Sequence, residues 1–365
     1  MVKQNGILPD DILCSVRNLR VQFKTDEGIV TALDDVSFAI PQGKTLGLCG
    51  ESGSGKSVST KAMMQLLPKN AIIDPKTEIL FRKRDGSVID IAKLSPRSNE
   101  IREVRGGEIG MIFQEPMASF SPVYTIGNQM SETIRLHRRF IDGQTIGSQI
   151  AKTAQTSAKL SEKQARELGI EMLDKVRLSN ASLRFDQYPH ELSGGMRQRA
   201  MIAMALSTHP LLLIADEPTT ALDVTIQSQI LDLMQELQDE LEMSIIFITH
   251  DIGVIAQVAN DIAVMYLGRI IEYGDMEDVV FDPKHPYTQG LIDAIPSLDN
   301  LDERLKAIPG DIPGPFNRPS GCSFNNRCKH KIDGPCSSVV PQHISVGDNH
   351  VVRCHLFESE TNNGQ

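Results

Sequence analysis

The sequence lacks any apolar run of about 18 residues or more, the length that one helix needs to cross a bilayer. Its first residues, "MVKQNGILPDDIL", place a proline and two aspartates where a secretory signal has its apolar stretch. We therefore expect a protein that does not span a membrane by itself and that lies in the cytoplasm.

Basic residues are fewer than acidic residues, 37 against 47, and the formal net charge is −10. A surface that neutralises nucleic-acid phosphates needs the opposite balance, so we expect no nucleic-acid partner. The six cysteines occur in a chain without an export signal, which favours thiols or metal ligands over disulfides. Neither internal repeats nor sustained heptads occur, which argues against repeat proteins and long coiled coils.

The apolar pattern that is present predicts an α/β fold. Short strands around a turn are expected over residues 12 to 40, and "EILFRKRDGSVIDI" is typical of a hairpin that turns at Asp85-Gly86. The runs "PLLLIADEP" and "SIIFITHD" are typical of buried parallel strands. From about 120 to 190 the pattern becomes helical, and a capping box of Ser161 and Gln164 predicts the start of one helix.

The stretch "GESGSGKS" fits the pattern G-x-x-x-x-G-K-[ST] at every position. Glycines let backbone N–H groups curl around phosphates, and the N-terminus of the following helix adds positive potential. An apolar strand before the loop and an amphipathic helix after it favour a phosphate-binding loop over a chance glycine turn. Lys56 is expected to reach the β- and γ-phosphates, and Ser57 to ligate Mg²⁺. The residues expected to contact a nucleotide here are Gly50, Ser52, Gly53, Gly55, Lys56 and Ser57.

Polar residues follow three of the predicted strands. Asp216 and Glu217 end the strand "LLLIA", at the edge where parallel sheets bind ligands. Asp216 suits coordination of Mg²⁺, and Glu217 suits deprotonation of an attacking water, although an acidic helix start is the alternative. Gln114 follows "GMIF", where its amide can meet Mg²⁺ and that water. His250 ends "IIFIT", where its imidazole can hydrogen-bond a γ-phosphate.

This order of motifs resembles the nucleotide-binding subunit of an ATP-binding cassette (ABC) transporter, over roughly residues 12 to 280. The resemblance implies an ABC-type P-loop ATPase core with an antiparallel β subdomain and a helical subdomain. We expect this nucleotide-binding domain at residues 10–280, with the helical subdomain at about 115–205. The implied motifs are the Walker A loop at Gly50 to Ser57, the Q-loop at Gln114, the signature at Leu192 to Met196, Walker B at Leu211 to Glu217, the D-loop at Ala221 to Asp223 and the switch histidine at His250.

An aromatic residue and a second glycine turn gain roles through this resemblance. Phe23 falls where the family stacks a ring on adenine, although Leu19 and Val21 share its face and it could instead be core. In the family two cassettes pack head to tail, and the signature of one closes over the ATP of the other. The resemblance therefore implies that the turn in "HELSGGMRQRAMIAMAL" binds a partner's nucleotide. The residues concerned are Ser193, Gly194 and Gly195, with Asp223 of the D-loop also at the nucleotide.

Residues 281–365 change in character to proline, glycine and cysteine, which predicts an appended, loop-rich extension. Its "HPYTQGL" and "LKAIPGDIPGP" segments resemble the C-terminal extension of oligopeptide and dipeptide importer ATPases. The same extension occurs in subunits that serve nickel, glutathione or oligosaccharide uptake. It therefore indicates the domain architecture of the subunit, but it does not identify the transported solute.

Four cysteines lie in this extension with the spacing C-x5-C-x7-C-x17-C: Cys322, Cys328, Cys336 and Cys354. Zinc sites usually begin with tighter pairs, whereas [4Fe–4S] clusters accept looser spacings, so an iron–sulfur cluster is favoured over zinc and four reduced thiols are the alternative. Some members of the resembled subfamily carry such a cluster. Basic neighbours are expected to ease the negative charge of thiolates: Arg327, Lys329, His330 and Lys331.

The sequence thus predicts an ATPase, with ATP and Mg²⁺ as cofactors, that energises a peptide importer from the cytoplasmic face of the membrane. The resemblance implies as partners a second, paralogous ABC ATPase subunit, two transmembrane permease subunits and an extracytoplasmic solute-binding protein. The alternatives are a non-transport ABC ATPase and a metal- or redox-sensing module centred on the cysteines. The transported solute stays open at this stage.

Overall fold

The computed structural model describes residues 8–114, 119–137, 160–220, 222–295 and 308–358, which form two compact units. The first unit contains the described residues up to Arg82, Val88–Lys93 and those from Ile246 onward. The second contains Lys83–Ser87 and the described residues of Leu94–Ile245.

An antiparallel sheet opens the first unit. Its strands are β1 (Ile12–Thr25), β2 (Gly28–Pro41), β4 (Ala71–Ile73), β5 (Glu78–Arg82) and β6 (Val88–Asp90). Their order is β2-β1-β5-β6, with β4 also paired to β1. Because β5 and β6 pair antiparallel and Gly86 has a φ of 82°, the predicted hairpin at Asp85-Gly86 is confirmed.

A second sheet in the first unit carries the buried strands. The strands are β3 (Thr45–Cys49), β9 (Ser244–Thr249), β10 (Asp261–Tyr266), β11 (Arg269–Asp275), β12 (Ile344–Ser345) and β13 (Val351–Val352). They follow the order β12-β13-β11-β10-β3-β9, and β3 pairs parallel to β10. Every residue of β3, β9 and β10 is buried, as their continuous apolar runs predict. The sequence did not predict that β13, from the extension, would pair with β11, or that β12 would pair with β13.

The helices of the first unit are short. They are α1 (Lys56–Met63), α8 (Ile252–Val258), α9 (Met276–Phe281), α10 (Pro286–Asp293) and α11 (Pro335–Ser338). Helix α1 follows β3 through the glycine loop, and α10 and α11 belong to the predicted extension. The predicted boundary at residue 281 stays a prediction.

The second unit is mainly helical. Strands β7 (Ile109–Ile112) and β8 (Leu212–Asp216) pair in parallel. Its helices are α2 (Asn99–Glu103), α3 (Ile126–His137), α4 (Glu162–Lys175), α5 (Ala181–Phe185), α6 (Gly194–Leu206) and α7 (Val224–Leu241). None of the helices in the described ranges is long and apolar enough to cross a membrane.

Helix α4 begins with the predicted capping box. The Ser161 side chain accepts the Gln164 N–H at 3.3 Å, and the Gln164 side chain accepts the Ser161 N–H at 2.9 Å. The helix buries the apolar stripe expected from the sequence: Ala165, Leu168, Met172 and Val176. The low periodicity of residues 141–160 predicts an exposed loop or a frayed helix, and residues 141–159 lie outside the described residues.

Candidate nucleotide-binding site

The loop between β3 and α1 adopts a backbone that only glycine tolerates at two positions. Gly50 has a φ of 146°, and a Cβ there would lie 2.2 Å from the carbonyl oxygen of Met265. Gly55 has a φ of 106°, and its Cβ would lie 2.6 Å from a methyl carbon of Leu33. The backbone conformation of the loop and the close approach of neighbouring atoms therefore require glycine at these two positions of "GESGSGKS".

The lysine of the loop is held at the loop entrance. Lys56 is 6% exposed, and its Nζ donates to the carbonyl oxygens of Gly50 at 2.6 Å and Glu51 at 3.1 Å. Helix α1 begins at this lysine, and Gly55 before it offers no side chain as a cap. The Oγ of Ser54 is buried and finds no hydrogen-bond partner among the described residues. A polar, helix-ended loop of this kind suits a phosphate.

In the second unit the structure brings two predicted residues together. Gln114 Nε2 donates to Glu217 Oε2 at 2.9 Å, although the residues are 103 positions apart. Thr220 Oγ1 donates to the same carboxylate oxygen at 3.0 Å. Asp216, at the end of β8, is 4% exposed. Sequence reasoning missed Thr220, because a threonine three residues after a glutamate has no motif of its own.

The signature motif places an open helix N-terminus at the surface. Ser193 caps α6, with its Oγ accepting the N–H of Met196 at 3.4 Å. Ser193 and Gly194 are exposed, and a Cβ on Gly194 would meet no described atom within 4 Å. Leu192 is buried and anchors the turn. The geometry is compatible with a helix cap at Ser193, with an exposed phosphate-binding turn, or with both at once.

The remaining predicted residues lie at strand and helix ends. Asp223 caps α7 by accepting the N–H of Ile226 at 2.9 Å, and Ala221 of the predicted D-loop lies outside the described residues. His250 is exposed directly after β9. Phe23 is half-buried on β1, whereas Leu19 and Val21 on the same strand are fully buried. Phe23 is therefore less typical of a core residue than these two neighbours.

The four cysteines of the extension are free thiols, three of them buried and Cys328 half-buried. Burial raises the pKa of Cys322 to about 11 and that of Cys354 to about 12, and nearby tail cysteines add to both shifts. No group of three or more His, Cys, Asp or Glu in the described ranges is placed to hold a metal ion. The described positions of the four thiols therefore do not form a ligand set.

Two expectations about cysteines have clear outcomes. Cys14 and Cys49 are buried in β1 and β3, as packing residues should be, and burial raises the pKa of each thiol to about 12. The expectation that Arg327 eases a thiolate is wrong, because its guanidinium instead pairs with Glu51 at 2.7 and 3.1 Å. Lys329 does lower the pKa of Cys328, but burial outweighs it.

The glycine loop follows a buried strand, has no room for side chains at two positions and leads into a helix that begins at a buried lysine. These features define a P-loop nucleotide-binding protein of the α/β class. The sequence pattern described as "ABC transporter" matches residues 33–220. The pattern described as "Oligopeptide/dipeptide transporter, C-terminal region" matches residues 271–336. This chain belongs to the ABC transporter family.

Its relatives match along nearly the whole chain. A Brucella ovis protein named as a peptide import ATP-binding protein is 44% identical, covering 94% of this chain and 96% of the relative. The oligopeptide transport ATP-binding protein OppD of Bacillus subtilis is 43% identical, covering 95% and 90%. Among solved structures, cbiO1 of Clostridium perfringens, part of an ABC transporter complex, superposes with a TM-score of 0.57 at 26% identity, covering 75% of this chain and 92% of that one.

Proposed function

We propose that this chain is the ATP-hydrolysing subunit of an ABC importer and that it energises the uptake of peptides. The likeness along the full length carries the proposal, because relatives named for peptide, oligopeptide and dipeptide transport match it at 42 to 44% identity. The match of residues 271–336 to the transporter-specific C-terminal region supports a transport subunit over a non-transport ABC ATPase. The names of these relatives favour peptides over nickel, glutathione or oligosaccharides.

In the proposed reaction each motif takes the role that the family resemblance implies. The amides of the glycine loop and Lys56 bind the phosphates of ATP and offset their negative charge. Glu217, oriented by hydrogen bonds from Gln114 and Thr220, takes a proton from the water that attacks the γ-phosphorus. His250 donates a hydrogen bond to the γ-phosphate, a role that rests on the resemblance.

A magnesium ion suits the oxygen donors assigned to it. Ser57, Asp216 and the side-chain oxygen of Gln114 would hold Mg²⁺, which neutralises charge on the phosphates during transfer. Asp216 suits this role because its carboxylate ends β8, and carboxylate oxygens are ligands that Mg²⁺ prefers.

The exposed signature supports a second cassette as partner. Ser193, Gly194 and Gly195 form a capped helix start, and a Cβ on Gly194 would meet no described atom within 4 Å, so the phosphates of a partner's ATP can approach there. A phosphate bound on one side only stays in water until a second surface covers it. We infer that the partner is a second ABC ATPase subunit, and the subfamily resemblance implies that it is a paralogue. We also infer that Asp223 lies near the nucleotide of this partner.

The [4Fe–4S] cluster stays a separate prediction, which the arrangement of the described residues does not support. Four soft thiol donors suit iron–sulfur chemistry in number and type. Their described positions do not form a ligand set, so no step of the mechanism is routed through a cluster. Purification under argon with iron and sulfide analysis tests it: about four irons per chain support the cluster, and none contradicts it.

Exposed apolar side chains mark a candidate contact with membrane subunits. Val123 is 71% exposed and Tyr124 56% exposed, shortly after Gln114 in the second unit. Uncovered apolar side chains of this size commonly belong to interaction sites. We infer that this segment contacts one of two transmembrane permease subunits, which places the chain peripherally on the cytoplasmic face of the inner membrane.

Co-purification from the native cell tests the proposed function. The tagged chain is extracted from membranes in mild detergent, and the co-purifying proteins are identified by mass spectrometry. We expect two membrane-spanning proteins, a second ATPase and an extracytoplasmic binding protein whose ligand is a peptide. A binding protein that holds nickel, glutathione or an oligosaccharide would overturn the peptide assignment, and recovery with ribosomes or DNA in the soluble fraction would overturn transport.

A further inference from the structure

A residue of the cysteine-containing extension contacts the phosphate-binding loop directly. The guanidinium of Arg327 donates to both carboxylate oxygens of Glu51, at 2.7 and 3.1 Å, and its Nε donates to the carbonyl oxygen of Pro309 at 3.1 Å. The Arg327 side chain is only 4% exposed. A bidentate pair with a buried guanidinium fixes both distance and orientation. The second residue of the "GESGSGKS" loop is therefore held from outside the loop.

A second contact from the extension holds the backbone of the same residue. The N–H of Glu51 donates to the phenolic oxygen of Tyr287 at 2.9 Å, and Tyr287 is completely buried. The Tyr287 ring packs against Tyr266 and Phe324, with centroid distances of 4.7 and 5.4 Å. The Arg327 guanidinium lies 5.8 Å from the centroids of these same two rings. One aromatic cluster thus supports both groups that hold Glu51.

The third polar group of Glu51 connects these contacts to the lysine of the loop. The Glu51 carbonyl oxygen accepts from Lys56 Nζ at 3.1 Å, beside the Gly50 carbonyl at 2.6 Å. A shift of Glu51 therefore changes the backbone from which Lys56 approaches a phosphate. A displacement of about 1 Å in a group that contacts a ligand can weaken its effect strongly. We therefore expect the contacts of Arg327 and Tyr287 with Glu51 to affect phosphate binding by Lys56.

We propose that Arg327 and Tyr287 are positioning residues for ATP binding, which act through Glu51 on the phosphate-binding loop and on Lys56. The extension is then a working part of the nucleotide site as well as a marker of the subfamily. This inference rests on the proposed role of the Gly50–Ser57 loop in ATP binding.

The decisive measurement is the Kd for MgATP of the purified full chain, together with the melting temperature of each variant. Arg327→Met should raise Kd about 10-fold or more, a factor that corresponds to about 1.4 kcal/mol. Arg327→Lys should also weaken binding, because an ammonium cannot reproduce the two parallel hydrogen bonds of the guanidinium. The kcat at saturating ATP should fall less than Kd rises, since neither residue contacts the reacting atoms.

A matched control comes from the same extension. Arg353 is 5% exposed and forms an ion pair with Asp35 of β2, and among the described residues its side chain makes no hydrogen bond or ion pair with the Gly50–Ser57 loop. Arg353→Met should lower the melting temperature to a similar extent and leave the Kd for MgATP within about 2-fold. If Arg327→Met and Arg353→Met change melting temperature and Kd alike, Arg327 is only structural and the proposal is overturned.

A double-mutant cycle and a smaller change complete the test. If Arg327 acts through Glu51, Glu51→Gln combined with Arg327→Met should weaken binding no more than Arg327→Met alone. Tyr287→Phe removes only the hydroxyl that accepts the Glu51 N–H, and it tests the support of Glu51 if Arg327→Met does not fold. A Kd equal to that of the unaltered chain would contradict the role of Tyr287. Lys56→Ala separates the two levels, because normal ATP binding in that variant would refute the site itself.

Discussion

Replacing Glu217 by glutamine changes one property of the site and little of its structure. The carboxylate accepts hydrogen bonds from Gln114 Nε2 at 2.9 Å and Thr220 Oγ1 at 3.0 Å. The carbonyl oxygen of a glutamine can accept both, and the side chain has almost the same volume. The variant therefore keeps the local contacts and loses only the ability to take a proton.

The expected effect follows from the loss of a general base. Such a group contributes about 10²- to 10⁴-fold to rate, so kcat of Glu217→Gln should fall at least about 10²-fold. At about 1.36 kcal/mol for each factor of ten, this is a loss of roughly 2.7 kcal/mol or more of transition-state stabilisation. The Kd for MgATP should stay within about 3-fold, because the phosphate-binding loop is untouched.

The assay is phosphate release by the assembled transporter at saturating MgATP, with nucleotide retention after gel filtration as the second readout. Glu217→Gln should retain ATP while turnover is lost. Thr220→Val, which removes one hydrogen bond to the carboxylate and leaves the base in place, is the control and should lose less than about 10-fold. Turnover in Glu217→Gln within 10-fold of the unaltered protein would remove this residue from the role of base.

Four further predictions concern other parts of the chain. Gly55→Ala should weaken MgATP binding more than about 10-fold, because its Cβ would lie 2.6 Å from Leu33 at a φ of 106°; equal binding in a titration would contradict this. Ser161→Ala should cost about 1 kcal/mol through the lost capping box, seen in urea unfolding, with ATPase activity per folded molecule unchanged. Burial lowers the pKa of His285 to about 4, so the unfolded chain alone gains a proton between about pH 6.5 and 4, and the free energy of unfolding falls as pH drops through this window. His285→Asn, which can still cap α10, should reduce that fall by up to about 3 kcal/mol, and an unchanged pH dependence would refute it. Tyr124→Asp should lower peptide uptake and co-purification of permease subunits without changing basal ATPase activity, and normal uptake would contradict the contact.

Features encoded in short stretches were predictable from the sequence. The capping box of Ser161 and Gln164, the hairpin at Asp85-Gly86 and the buried strands β8 and β9 each depend on residues close in the chain. Their local patterns carry the physical cause, whether a cap, a positive φ or a continuous apolar run. The phosphate-binding loop was recognisable for the same reason, because its pattern lies in eight consecutive residues.

Contacts between distant segments were beyond the sequence patterns. Arg327 and Glu51 are 276 positions apart, and neither has a motif that names the other. The basic residues around Cys328 led to a prediction of thiolate partners, because charge near a cysteine is visible in the sequence. The sequence does not show that the Arg327 guanidinium pairs with Glu51 instead. The pairing of β13 with β11 likewise depends on two-residue strands, which are too short to give an alternating pattern.

The contact between Gln114 and Glu217 lies between these cases. Each residue alone is a common polar end of a strand, and only the order of motifs along the chain connected them. The structure gives the connection its physical form, a hydrogen bond of 2.9 Å across 103 positions.

The central claim is most directly tested by peptide uptake in a strain that lacks this chain. The strain is complemented with the unaltered protein or with Lys56→Ala, at equal expression, and accumulation of a labelled peptide is followed over time. The account predicts uptake with the unaltered protein and none above background with Lys56→Ala, because a chain that cannot bind ATP cannot drive transport. Equal uptake in the deleted, complemented and Lys56→Ala strains would contradict the proposal that this chain powers peptide import.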